Sequence, residues 1–256
     1  MEQRKKIEVL LAGESWMSQS THHKGFDYFS SSTFETGHQY LLDAFEQDGE
    51  IVCTHLCAHE VPQKFPKSLD ELKQFDVVIL SDIGSNSLLL TKEVFLEGKK
   101  GVNRLELLKE YVGEGGGFCM AGGYLSFAGF EAKAKYYRTA VEEILPVSIF
   151  PFDDRVETPE GCFVVIEDED HPVLEGIDEF PSYLLGYQEV TLKDDSCLIA
   201  STDKGDPLLA LRDYGKGRSL AWTSDIGPHW CPHEFASSPA FKRLWQRSVR
   251  YLAKRI

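Results

Sequence analysis

The run Gly115-Gly116-Gly117-Phe118-Cys119-Met120-Ala121-Gly122-Gly123-Tyr124 reads as a turn, a short buried strand and an abrupt turn into a helix. In α/β hydrolytic folds such a strand-to-helix elbow presents a Ser or Cys above the sheet on a strained backbone. Here the elbow is Gly122-Gly123, and the nearby thiol, Cys119, lies three residues upstream inside the apolar strand. Which of these positions is the tip decides whether a nucleophile is present. The other residues suited to proton transfer or hydrogen bonding are the pair His22-His23, His229 with His233, and the acids Glu14, Asp82 and Asp225.

The elements that must position these groups alternate in type. Ile7 to Gly13 is a buried strand, Glu14 to Ser32 a long polar loop, and Glu35 to Gln47 a helix with Tyr40, Leu41, Ala44 and Phe45 at helical spacing. Strands follow at Ile51 to Leu56 and Asp76 to Asp82, and Ser68 starts a helix with an acidic first turn. Asn103 caps a helix running to Gly113, ahead of the elbow strand. Continuous apolar strands joined by helices predict a parallel sheet covered on both faces. After Pro146, short alternating runs at 162–166, 187–192, 197–201, 208–211 and 219–223 predict extra β-strands, with a hairpin at Asp213-Tyr214-Gly215-Lys216-Gly217. The chain ends in an amphipathic helix. Phe241, Leu244, Trp245, Val249 and Leu252 face in, and Lys242, Arg243, Arg247, Arg250 and Lys254 form a solvated basic stripe. Without a repeat, low-complexity tract or linker, residues 1–256 read as one domain.

In open parallel sheets, ligands bind beyond the carboxyl ends of the strands. Those ends deliver Glu14, then His22 and His23; Asp82; Gly122, Gly123 and Tyr124; and Asp225 with His229. This is the expected ligand-binding set. Each member has a plainer role to weigh. Adjacent histidines rarely both face one ion, so His22 and His23 suit loop anchoring or ligand contact better than metal binding. Pro228 and Pro232 break the helix that would place His229 and His233 on one face. Asp82 serves a turn as readily as a ligand. Cys119 sits where buried thiols are inert packing groups. No metal or other cofactor is expected.

Net charge is −14, from 27 basic and 41 acidic side chains among 256 residues, a field that repels phosphate backbones and anionic lipid surfaces. Nucleic acid and membranes are therefore not expected partners. Six cysteines lack a CxxC pair or regular spacing and read as reduced thiols. The start is polar and its first apolar run is too short for a signal peptide or a membrane span. A cytoplasmic protein is expected, with a small polar molecule as partner and a homo-oligomer compatible with the sequence.

The segments Gly13-Glu14-Ser15-Trp16-Met17, His23-Lys24-Gly25-Phe26-Asp27, Gly115-Gly116-Gly117 through Gly122-Gly123-Tyr124-Leu125-Ser126-Phe127, and Ser224-Asp225 through Pro228-His229-Trp230 carry a resemblance. In this order, over essentially the whole chain, they resemble the glutamine amidotransferase-like proteins. These belong to the class I glutamine amidotransferase-like superfamily, alongside the trehalose-utilisation-type proteins. The resemblance implies a flavodoxin-like doubly wound fold with a mostly parallel sheet and helices on both faces, and implies less about reaction. True class I members carry Gly-x-Cys-x-Gly at the elbow and a later His-x-Glu as base and orienter. Laid on that pattern, Gly122 takes the nucleophile position and His229 falls near the triad histidine. Three readings follow: a protein without the thiol that binds a small polar metabolite, a sugar or a carboxylate; a Cys–His amidohydrolase or glutaminase using Cys119 and His229; and a non-catalytic regulatory or assembly subunit. Whether the chain is an enzyme stays open.

Overall fold

The computed structural model describes residues 6–177, 180 and 183–256. Its frame is an eight-stranded sheet. Ile51–Leu56, Ile7–Gly13, Val77–Ser81, Gly117–Ala121 and Gly217–Trp222 lie side by side and parallel. Pro207–Tyr214, Cys197–Thr202 and Val164–Ile166 extend it in antiparallel fashion. The doubly wound, mostly parallel architecture read from the sequence is present, with the additional strands drawn from the C-terminal half.

Near-continuous apolar strands arise because each face of the sheet is covered. Val9, Leu11, Ile79, Cys119 and Leu220 share one apolar layer with Phe241, Leu244 and Trp245 of the C-terminal helix Pro239–Leu252. Leu10, Val78, Leu80, Phe118 and Met120 share the other with Leu105, Leu108 and Val112 of the helix Arg104–Gly113. That helix starts where expected: Asn103 Oδ1 accepts the Leu105 and Glu106 N–H groups, at 3.1 and 3.3 Å. Such a cap satisfies donors that lack a partner in the first turn. The basic side of the last helix is anchored within the molecule rather than merely solvated. Arg250 bonds Asp48 and Glu50 at 2.9 and 2.8 Å, and Arg247 bonds Glu175 at 2.5 Å.

One expectation fails clearly. The stretch read as a loop from Glu14 to Ser32 is the greater part of a β-ribbon, Ser15–Lys24 paired with Asp27–Thr36 in unbroken register. Its two-residue turn begins at Gly25, whose φ of +66° is the backbone state such turns require and glycine supplies cheaply. The ribbon consumes Glu35 and Thr36, so the helix that follows runs Gln39–Asp48, four residues later than its apolar spacing suggests. In the C-terminal half, the run at 162–166 divides into the strands Arg155–Cys162 and Val164–Ile166, and the run at 187–192 into Leu184–Gln188 and Thr191–Leu192.

Candidate functional site

Four adjacent parallel strands end on one edge, and neighbouring strands lie about 4.8 Å apart, so the residues just beyond them form a short row. In that row stand Glu14, Asp82, Gly122-Gly123 and, after Thr223-Ser224, Asp225. Glu14 and Asp82 both leave their strands in the left-handed region, with φ of +49° and +45°. Non-glycine residues pay about 1–2 kcal/mol for that state, and such strain clusters at functional sites. A cleft of about 520 Å³ opens over the row, lined by Glu14, Asp82, Tyr124, Asp225 and His229, with Trp16, Leu125 and Phe130 as its apolar walls.

The elbow tip is Gly123, one residue beyond the glycine that the family pattern puts at the nucleophile position. Gly122 is locked into the sheet edge: its N–H is directed at the Trp222 and Ser224 carbonyl oxygens, at 2.8 and 2.9 Å. A Cβ there would meet Gln188 Oε1 at 2.5 Å and two carbonyl oxygens at 2.6 and 2.7 Å. Gly123 has φ +134°, and a Cβ on it would point between Asp82 and Asp225, 3.1 Å from an oxygen of each. The space above the tip thus belongs to two carboxylates. Gln188 Nε2 donates to the Gly123 carbonyl at 2.5 Å and fixes the turn. Cys119 lies elsewhere. It is 1% exposed in the core layer against the C-terminal helix, and burial pushes its thiol pKa far up.

Asp225 and His229 form a dyad. Asp225 Oδ2 bonds His229 Nδ1 at 2.6 Å and accepts the Trp230 N–H at 3.1 Å. With Nδ1 engaged, Nε2 is the nitrogen left for a ligand, the orientation that Asp–His pairs give a proton-transferring imidazole. Burial pulls the His229 pKa down, but the hydrogen bond and charge of Asp225, helped by Glu157 and Asp82, raise it above the ordinary value. Tyr124 packs edge-on against His229, with ring centroids 4.6 Å apart. Its hydroxyl donates to Glu157 at 3.2 Å, and Trp230 Nε1 donates to the same carboxylate at 2.9 Å. Arg155, paired with Asp153 at 2.9 Å, lies over the Tyr124 and Phe130 rings and holds that wall in place.

The carboxylates on the other side are not neutralised in this way. Glu14 is 7% exposed and receives the Ser81 hydroxyl. Burial first, and then the charges of Asp82 and Asp225, hold its carboxyl well above the usual range. Asp82 accepts the Leu125 N–H at 2.7 Å, yet burial and Asp225 still raise its pKa. Such a group stays protonated at pH values where free carboxylic acids ionise, and can then donate a hydrogen bond. Among the described residues, no three His, Cys, Asp or Glu side chains are grouped so as to hold a metal ion.

Of the residues expected at the site, Glu14, Asp82, Gly122, Gly123, Tyr124, Asp225 and His229 come together. His22 and His23 do not. They lie seven and eight positions along the ribbon from its root at Ser15, stacked on Phe29 and Tyr28. At about 3.3 Å per residue that is more than 20 Å out. Their separation follows from the loop being an extended ribbon. Trp16 and Phe130 were missed as cleft walls, and Glu157 and Arg155 as supports of Tyr124. Glu157 and Arg155 lie on an antiparallel strand whose sequence gives no sign of which residues it faces.

Over residues 8–254 the chain matches the protein family described as "Putative glutamine amidotransferase". The chain belongs to this family. Two structures of cytoplasmic proteins from Salmonella typhimurium, the second from strain LT2, are similar throughout. The first is 42% identical with a TM-score of 0.91, over 95% of this chain and 98% of the other. The second is 39% identical with a TM-score of 0.91, over 96% and 99%. A ThuA-like protein from Parabacteroides merdae shares the fold at 13% identity and a TM-score of 0.56, over 97% and 90% of the two chains. No curated protein matches in sequence. The glutamine amidotransferase-like family therefore accounts for the sheet and its elbow, and the chemistry has to be read from the side chains.

Proposed function

We propose that this family member binds a small, hydroxyl-bearing molecule that is neutral or cationic, in the cleft over Gly123, without a thiol nucleophile. The observation that carries the proposal is the convergence of Glu14, Asp82 and Asp225 with His229 on one cleft from distant parts of the chain. Three carboxyl groups in a row disfavour an anionic ligand, which narrows the earlier choice between a sugar and a carboxylate toward the sugar. Carboxylates accept hydroxyl donors, a protonated Glu14 supplies one in return, and Tyr124, Phe130 and Trp16 give flat apolar surfaces. The Asp225–His229 dyad shares or transfers a proton with a ligand hydroxyl. Against the amidohydrolase reading stands the burial of Cys119; against a vestigial cleft stand the strained acids and their raised pKa values. The sheet draws strands from both halves of the sequence, which supports a single domain. The likeness to two cytoplasmic proteins of Salmonella typhimurium supports the same location here.

The test is thermal melting against three panels: neutral sugars and polyols, amino sugars and hydroxyl amines, and mono- and dicarboxylates. A compound from the first two should raise the melting point, since a ligand at 100 times its Kd adds about 2.7 kcal/mol. His229→Ala and Asp82→Ala should abolish the shift. Stabilisation by carboxylates alone, or a shift that survives both substitutions, would sink the proposal.

A further inference from the structure

The ribbon Ser15–Thr36 stands out because nothing in the described structure covers it. Ser15 is buried at the root, where its hydroxyl accepts the Ala58 N–H at 2.7 Å, and Phe34 meets the edge of His59. Beyond that root both strands are exposed almost residue for residue. An isolated two-stranded hairpin is marginally stable in water, because neither face is buried and both edges leave backbone groups unpaired. This one is ten residues long on each side, in unbroken register, and carries Met17, Phe26, Tyr28, Phe29 and Phe34 exposed.

Its edges are also unguarded. Soluble proteins block free strand edges with charges, proline or bulges. Here 16–23 and 28–34 contain no Asp, Glu, Lys, Arg or Pro, and the pairing has no bulge. The centre is uncharged hydroxyl residues, Ser18, Ser20, Thr21 and Ser30 to Thr33, with aromatic rings toward the tip. In a chain of net charge −14, this is a place where a like-charged molecule can approach without repulsion.

We propose that the ribbon is an interface arm covered by a second copy of this chain. Three observations choose that occupant. A two-fold contact sets the same patch against itself, and a neutral ribbon of Ser, Thr and aromatic residues is self-complementary, with Ser/Thr and aromatic pairs meeting across it. The area sets the mode: a ribbon about 33 Å long and about 10 Å wide offers roughly 300 Å² on each face, so the second copy must wrap both faces and an edge to approach the about 800 Å² per partner of a stable interface. Near the tip, Phe26, Tyr28 and Phe29 expose aromatic rings beside the cross-strand pair Lys24 and Asp27, an apolar cluster with a charged rim of the kind such contacts carry. Trp16 belongs to both the ribbon root and the cleft wall, so a second copy covering the whole length of the ribbon would reach the cleft mouth.

The experiment is the mass in solution of the whole chain by light scattering, repeated over a hundredfold range of concentration, with hydrogen exchange of the ribbon amides alongside. The expected result is a particle of at least twice the 28.9 kDa chain mass, with ribbon amides protected more at high concentration. Ser20→Lys with Ser31→Lys places two like positive charges side by side on the ribbon, which repel the same pair on a second copy without touching the core, and should shift the mass to 28.9 kDa while leaving the core's circular dichroism unchanged. Tyr28→Glu with Phe29→Glu should do the same. A wild-type chain that stays monomeric overturns the proposal, whatever else the ribbon binds. An oligomer whose mass both double variants leave unchanged overturns it equally.

Discussion

The sheet has a concavity at each edge, and the two are built on opposite terms. At the amino edge, a pocket of about 380 Å³ is lined by Lys73, Asp76, Tyr111 and Glu114. Its polar groups are matched: Lys73 pairs with Glu114 at 2.5 Å, Asp76 accepts the Glu8 N–H at 2.9 Å, and the Tyr111 hydroxyl donates to the Phe75 carbonyl at 3.0 Å. At the carboxyl edge, Glu14, Asp82 and Asp225 face one another with one imidazole among them, two of them on left-handed backbone. Matched charges need no ligand. Crowded carboxyl groups, with one imidazole among three and two of them on a strained backbone, cost stability that a binding role explains.

Substitutions that break the carboxyl edge should have the largest effects. Gly122→Val forces a branched side chain against two carbonyl oxygens and Gln188, and should cost about 3 kcal/mol or more in urea unfolding. Wild-type stability in that variant would place the elbow elsewhere. Next comes Asp154→Ala. Asp154 is buried, and its two oxygens accept the Ala128 and Gly129 N–H groups at 2.8 Å each, bracing the loop that carries Tyr124 and Phe130. Leaving both donors without a partner should cost about 2–3 kcal/mol. Cys119→Ala removes only a packing group and should cost roughly 1 kcal/mol. The native thiol should also alkylate slowly at neutral pH, and fast labelling would return Cys119 to the chemistry. Smallest of all, Lys73→Ala at the amino edge should leave the melting point unchanged, because that pair is half exposed. A clear loss there would blur the contrast between the two edges.

The parallel sheet was legible because strands buried on both faces must be apolar throughout, as in Val77–Ser81 and Gly117–Ala121. The strand-end rule then brought Glu14, Asp82, Tyr124, Asp225 and His229 together without any distance being known. The ribbon was not legible, since its polar sequence reflects no buried face within the chain, and a loop in its place would bring His22 and His23 to the site. Nor could residue spacing tell Gly122 from Gly123. That difference lies in which glycine bonds the sheet edge and which takes φ +134°.

The central claim is that the carboxyl-edge charges serve a ligand and not the fold, and Glu14→Gln across pH tests it most directly. Gln keeps the shape and the acceptor that receives the Ser81 hydroxyl. Because the folded pKa of Glu14 is raised above its unfolded value, its favourable contribution is complete below about pH 4.5 and is lost as pH rises through the folded pKa. The free Glu14→Gln protein should therefore melt close to wild type near pH 4.5 and progressively higher than wild type toward pH 8. A variant that melts lower than wild type at pH 8 would show that the Glu14 carboxylate holds the fold together, and would contradict the account.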